Sequence, residues 1–537
     1  MKIKITFELI VTTILVLWSN AIFAASSGTC YYPKGFPGMG WSDHGFVNTC
    51  APEVTLYVAG SQELYPQIAN SLINLFDKSK GLVQVIDKNS YTPYNTWPLP
   101  TTHAWYGMSK PGLLPDGSKR LYIVYSTKNG SAAGVSQVMT KVRSSSNLPE
   151  ANVVFVGPIN KTLANTCESD PKFGQYFYYP QSTDSRLWAY YQRVVFGPST
   201  NYSQTAFGRV TDVVFCTNTR DMQADLAISD VRVQELQTLY PSAANTKISD
   251  LVQTALGIQG FGIAVNWKMY QALQKAQFGD GCVGALTYDC QPSIRKIDYS
   301  TLITSNSKAK SAAIFGLDSA VKLTLARRDD FSGTQAASNI YFANNPCGNI
   351  PSKSTNLGGS LVVLGASDKI NDNFEIKEFS TPAELEGYLS NPTEEFIVGV
   401  LPLLGRGRYE WPNQLGRDTG LWQGQYNFIK IDGYSPNLAK DAGGNTIRFP
   451  KGRNSFANGD YSFAMSFVSV YNRKAISANS DKQALISAFN AFLSDSDNDL
   501  SNIAYFDGKQ DIDIVNTRQS KVVRGVMGNN CSPLVLR

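Results

Sequence analysis

Apolar and polar positions divide this chain into short alternating strands separated by helices with a single apolar stripe. Glu53-to-Ala59 alternates as a strand does, and a Gly60-Ser61-Gln62-Glu63 turn follows. Leu64, Ile68, Leu72 and Leu75 or Phe76 then recur at helical spacing, with Pro66 blurring the start of that helix. Leu121-to-Tyr125 predicts another strand, Lys128-to-Gly134 a turn rich in glycine and serine, and Val135, Val138, Met139 and Val142 a second helical stripe. Ala224-to-Ile228 leads through Ser229-Asp230 to a further helical stretch, and Gly260-to-Asn266 reads as a buried strand. The alternating run Val321-to-Ala326 predicts a strand, and Ala336, Ala337, Ile340 and Tyr341 predict a helix that Asn344-Asn345-Pro346 ends. Each stripe is read as core. The recurring alternation predicts an α/β fold with its ligand groups at strand ends.

At 537 residues the chain is long enough for two or three cores. Hydrophobic content of 43% against 17% charged describes a globular protein and carries no sign of extended disorder. The formal charge of +5 is spread along the chain, which argues against nucleic acid as a partner. Two lysines within Met1-to-Lys4, an apolar run from Leu9 to Trp18 and small residues at Ala21, Ala24 and Ala25 predict a secretory signal peptide over residues 1–24. The mature chain is then expected to be exported and soluble, either periplasmic or secreted.

Eight cysteines fit that route: Cys30, Cys50, Cys167, Cys216, Cys282, Cys290, Cys347 and Cys531. An even count in an exported chain favours disulfides, with Cys282–Cys290 the easiest local pair and Cys30–Cys50 similarly plausible. Zinc is disfavoured because CxxC pairs and nearby histidines are missing, and no metal or cofactor is expected.

The residues that carry chemistry follow the predicted strand 321–326. Arg328 precedes Ser332-Gly333-Thr334, and a helix start there offers free backbone N–H groups, two hydroxyls and the positive end of the helix dipole. That combination suits an oxyanion. An enzyme reading has less behind it. The two histidines, His44 and His103, sit near no nucleophile motif, no Gly-x-Ser-x-Gly elbow occurs, and the turn at Gly130 lacks the Lys-Ser/Thr ending of a P-loop.

Taken in order, five stretches resemble one family. They are Ala59-Gly60-Ser61 with Tyr65-Pro66, Asn129-to-Gly134, Ala227-Ile228-Ser229-Asp230, Ile263-to-Asn266 and Arg328-to-Thr334. The chain resembles the type II, two-lobed periplasmic substrate-binding proteins, nearest to the phosphate-binding proteins of ABC importers, over most of Glu53 to Gly508. The resemblance implies a two-lobed α/β fold with two interlobe crossovers and long insertions. Lobe 1 would combine 25–265 with 460–537, and lobe 2 would span 266–459.

It also implies roles for individual residues. Arg328 would pair with the bound anion, and Ser332, Gly333 and Thr334 would donate hydrogen bonds to it. Asp330 would hold the Arg328 guanidinium. Ser131 would add donors from the opposite lobe, beside Ser61 and Gln62. Asp230 would accept a proton from a protonated oxyanion and so favour hydrogen phosphate over sulfate. The implied partners are phosphate or another small oxyanion and an ABC importer permease, with the receptor a monomer.

Three features depart from the family pattern: Gln62 with Glu63 in the first turn, Phe331 where a glycine is usual, and aromatic-rich insertions such as Tyr176-to-Tyr179. They keep open a second reading, a secreted interaction protein with an extracellular macromolecule as partner on a repurposed scaffold. A phosphatase-like hydrolase is the lesser alternative.

Overall fold

The computed structural model describes residues 52–62, 64–77, 82–87, 102–127, 130–139, 154–156, 167–168, 212–216, 219–221, 223–236, 250–305, 310–347, 361–391, 393–403, 425–448, 455, 458–494, 503–505, 522–524, 530–531 and 534–536. The expected signal peptide, Cys30, Cys50, Glu63 and most of the aromatic insertions lie outside them. In chain order the principal elements are β1 (Val54–Gly60), α1 (Tyr65–Ile73), β2 (Leu82–Asp87), β3 (Thr102–Met108), β4 (Arg120–Ser126), α2 (Gly130–Val138), β5 (Asp212–Cys216), β6 (Leu226–Ser229) and β7 (Leu251–Val265). They continue with α3 (Trp267–Phe278), α4 (Lys296–Ile303), β8 (Leu323–Arg328), α5 (Gly333–Ala343), β9 (Phe374–Phe379), α6 (Pro382–Ser390), β10 (Phe396–Pro402), β11 (Ala464–Asn472) and α7 (Ser480–Ser494).

The strand β1 shows why an α/β layering forms. Val54, Leu56 and Val58 enter the core that holds Leu64, Ile68 and Leu72 of α1 with the preceding turn, and Leu485 and Phe489 of α7, while Tyr57 and Ala59 enter the core on the side of α2. On β4, Leu121, Ile123 and Tyr125 divide from Tyr122 and Val124 in the same way. A period of two with both faces covered is what parallel strands require, and β1 runs parallel to β4 on one side and β6 on the other.

These strands belong to one mixed sheet with the order β9-β8-β10-β7-β11-β6-β1-β4-β3-β2-β5, extended past β5 by Cys167–Glu168. Its pivot is β7. Leu251–Gly260 pairs antiparallel with β11, and Phe261–Val265 pairs antiparallel with β10. The parallel set β10, β8 and β9 therefore joins the parallel set β6, β1 and β4 through a single continuous strand. The chain returns at Phe463, whose carbonyl accepts the Phe261 N–H at 3.0 Å, immediately before β11. Aromatic packing stiffens that joint: Tyr341 stacks on Phe463 at 4.6 Å between ring centroids, and the Tyr461 hydroxyl donates to the Phe261 carbonyl at 2.7 Å. The molecule is thus an α/β protein of two sheet-centred halves linked by two crossing segments.

Three local expectations change. Gly130 and Ser131 open helix α2, where the glycine- and serine-rich composition predicts a turn. Asp230 leads into a 3-10 turn at Val233–Glu235, among residues described only to Leu236. The strand expected from Gly260 begins nine residues earlier, at Leu251. Disulfides join Cys282 to Cys290 and Cys347 to Cys531, and Cys167 lies opposite Cys216 in the strand register. Among the described residues no helix is long and apolar enough to cross a membrane.

Candidate functional site

Three parallel strands deliver the first half of the site from their C-terminal ends. Ser61 follows β1, Asp230 follows β6, and Ser131 lies in the first turn of α2, just past β4. All three are buried, and their side chains form one cluster. The Asp230 carboxylate accepts the Ser61 hydroxyl on Oδ1 at 2.7 Å and the Ser131 hydroxyl on Oδ2 at 2.8 Å. The Ser131 hydroxyl oxygen also accepts the Asp230 backbone N–H at 3.2 Å. Ser61 is fixed in turn: its N–H donates to the Ile228 carbonyl at 2.8 Å, and its own carbonyl accepts the Tyr125 hydroxyl. Gly60 turns the chain into this position at φ +133°, where a Cβ would lie 2.0 Å from the Ile228 carbonyl oxygen. Gln62 is buried beside it.

The second half comes from the far sheet. Arg328 is the last residue of β8, and the Asp329–Phe331 turn leads to Ser332, which caps α5 by accepting the Gln335 N–H at 3.4 Å. Gly333 and Thr334 form the first turn of α5, every residue of which is buried. The halves meet at Gly333, where a Cβ would fall 2.1 Å from Asp230 Oδ2 and 2.4 Å from Ser131 Oγ. The Ala132 N–H, one of the free donors at the start of α2, donates to the Phe331 carbonyl at 3.1 Å. Ser61, Ser131, Asp230, Gly333 and the Phe331 carbonyl are therefore brought to one seam.

Charge within the seam is mixed. Burial pushes the Asp230 carboxyl above its ordinary range, against the Ser61, Gln259 and Ser131 hydrogen bonds and the field of Arg328, all of which pull it down. Asp329 is also pushed up by burial and pulled down by Arg328. The Arg328 guanidinium donates to the carbonyls of Phe379 at 3.2 Å and Ser380 at 3.0 Å. Asp330, expected to hold Arg328, is half exposed and pairs with the neighbouring Arg327. Adjacent residues on a strand point to opposite faces, so spacing alone could not choose between the two arginines. No group of three or more His, Cys, Asp or Glu suited to a metal ion occurs among the described residues.

Sequence reasoning missed Gln259, which donates from Nε2 to Asp230 Oδ1 at 2.6 Å from the middle of β7. Its signal was a polar residue inside the run Leu256-Gly257-Ile258-Gln259-Gly260-Phe261, which a strand begun at Gly260 leaves out.

No family model matches the chain, and no curated protein matches it. Solved structures do. One is a substrate-binding protein assigned to a phosphate ABC transporter of Clostridium perfringens, with phosphate bound. It is 10% identical over 84% of this chain and 98% of its own, at a TM-score of 0.37. A phosphate-binding protein of Stenotrophomonas maltophilia is 12% identical over 81% of this chain and 83% of its own, at 0.32. The protein PstS of Borrelia burgdorferi is 10% identical over 81% and 92%, at 0.29. At TM-scores this low the overlay is loose, and the functional reading rests on the chain's own geometry.

Proposed function

We propose that this chain is an exported solute receptor that holds phosphate or a similar tetrahedral oxyanion at the seam between its halves. The observation that carries the reading is the convergence of Ser61, Ser131 and Asp230, from three parallel strand ends, on the Ser332-Gly333-Thr334 helix start of the opposite half. Strand ends and helix N-termini supply oriented donors, and Arg328 supplies positive charge 3% exposed to solvent. On ligand entry the halves part and an anion oxygen replaces the Phe331 carbonyl at the start of α2. The Ser131 and Ser61 hydroxyls turn from Asp230 to the ligand, and Asp230 accepts a hydrogen bond from the O–H of a monohydrogen oxyanion.

Delivery to an ABC importer and export through residues 1–24 belong to the same proposal. Isothermal titration with phosphate, arsenate and sulfate tests it. Phosphate binding that Arg328→Ala or Asp230→Ala weakens at least tenfold is expected, since a charged partner contributes roughly 1.5–3 kcal/mol. No heat with any of the three anions, at ligand well above protein, rejects it.

One observation favours a second reading. The Ala132 N–H and the Ser131 hydroxyl are satisfied by the protein itself, as a purely structural seam between halves would be. In that case the chain is an exported interaction protein, and amide exchange at Ala132 is unchanged by any of the anions.

A further inference from the structure

Asp230 has two oxygens in different surroundings. Oδ1 takes two donors, the Ser61 hydroxyl at 2.7 Å and the Gln259 carboxamide at 2.6 Å. Oδ2 takes the Ser131 hydroxyl at 2.8 Å and faces Gly333 of the opposite half. The two hydroxyls can rotate, and each can donate elsewhere once a ligand enters. Gln259 points the nitrogen of its carboxamide at Oδ1. It is 1% exposed on β7, and an amide N–H₂ is a donor only.

We propose that Gln259 is the positioning residue that makes Asp230 an acceptor toward the ligand, and so sets the preference for protonated over fully deprotonated oxyanions. The inference rests on the receptor reading above and adds the residue that enforces its selectivity. A donor fixed on Oδ1 excludes a proton there, so any proton the carboxyl carries sits on Oδ2, at the ligand's face. While the carboxyl is ionised, Oδ2 accepts the O–H of hydrogen phosphate or hydrogen arsenate and repels sulfate, which has no proton to offer. Once the carboxyl is protonated, Oδ2 becomes a donor, and sulfate is admitted.

The groups facing Asp230 are Ser61, Ser131, Gln259 and Gly333 at contact, with Arg328 the charge whose field reaches it. Arg328 and Gln259 both favour ionisation, against burial. Removing Gln259 therefore moves the titration of Asp230, and the pH at which phosphate and sulfate exchange preference, upward.

The test titrates wild type, Gln259→Leu and Gln259→Glu with phosphate and with sulfate at pH 5 and pH 8. Alongside, the Asp230 carboxyl is followed by ¹³C NMR in ligand-free protein and assigned through Asp230→Asn. Gln259→Leu is expected to lose about tenfold in phosphate affinity at pH 8, the loss of one hydrogen bond to a charged group. It is also expected to gain sulfate binding at pH 5 and to shift the Asp230 carbon titration to higher pH. Gln259→Glu places a second carboxylate on Oδ1, so phosphate binding at pH 8 should collapse and partly return at pH 5, where the pair shares a proton. An unchanged phosphate-to-sulfate ratio and an unchanged Asp230 titration in both folded variants overturn the proposal. A wild type that binds neither anion overturns the receptor reading instead, and the NMR shift then reports on the placement of Gln259 alone.

Discussion

At the scale of single residues, Asp230 carries a cost that its function would justify. Burial raises its folded pKa above the ordinary 3.8, so the stability linked to it is fully present below that value. It is lost as pH rises through the folded pKa, because the folded state must then hold a desolvated charge. Asp230→Asn removes that charge and keeps one acceptor for Gln259, and the amide can donate to the Ser131 hydroxyl. The variant is expected to melt higher than wild type at pH 7 and at the same temperature as wild type at pH 3, while phosphate binding falls. Equal melting temperatures at both pH values would show that the three hydrogen bonds already offset the desolvation. Part of this was legible in the sequence: the Ser332–Thr334 turn from its helix-start chemistry, and Ser61, Ser131 and Asp230 from the resemblance of their turns, taken in order, to those of the receptor family. Gln259 was not, because its partner lies 29 positions away and no local pattern marks a polar side chain as aimed at a carboxylate. The assignment of Asp330 to Arg327 likewise depended on strand facing, which spacing does not reveal.

At the scale of elements, α2 is the piece whose sequence misleads most. Gly130-Ser131-Ala132-Ala133-Gly134 reads as a flexible turn because two glycines disfavour a helix by about 1 kcal/mol each. The fold uses them for close approach. A Cβ at Gly134 would lie 2.4 Å from Gly60 Cα and 2.7 Å from the Gly60 nitrogen, so α2 rests directly on the end of β1. Small residues are what allow Ser131 to reach Asp230. Propensity and packing therefore predict opposite outcomes for Gly134→Ala. Propensity offers a gain of about 1 kcal/mol, whereas forcing a methyl against backbone costs about 1–3 kcal/mol or more. Packing should prevail, and chemical denaturation should show a net loss of stability together with weaker anion binding. A more stable variant with intact binding would mean that α2 can shift away from β1 without harm. The strands were easier to read, since Val54, Leu56 and Val58 alternate with Tyr57 and Ala59 as the two cores require. The full length of β7 was not, because Leu251–Ala255 is only partly buried and mixes Gln253 and Thr254 with its apolar positions.

For the whole molecule, the two halves are joined by β7, by the return at Phe463 and by a strap near the C-terminus. Asn530 is held to the first half through its backbone N–H to Glu235 Oε1 at 2.8 Å and its side-chain amide to Glu235 Oε2 at 3.0 Å. The same amide donates to the Ser466 carbonyl at 3.0 Å, and its oxygen accepts the Ser466 N–H at 2.7 Å. The next residue, Cys531, is bonded to Cys347, just past the end of α5 in the second half, across a separation of 184 residues. Four hydrogen bonds and one disulfide thus act in series, and separating the halves at this edge needs either link to yield. Replacing both cysteines by alanine should cost about 2–4 kcal/mol, mainly by freeing the unfolded chain. Asn530→Ala should cost less in net hydrogen bonds but leaves Glu235 buried with fewer donors, which adds to the loss as pH rises through its raised pKa. Because the links are in series, the two variants should loosen the seam alike even though their stabilities differ. Hydrogen exchange at the Ala132 amide, bonded across the seam to Phe331, reads that directly: both variants should speed it under native conditions. If both leave it at the wild-type rate, the crossing segments alone hold the halves together, and the strap stabilises the fold without governing its opening.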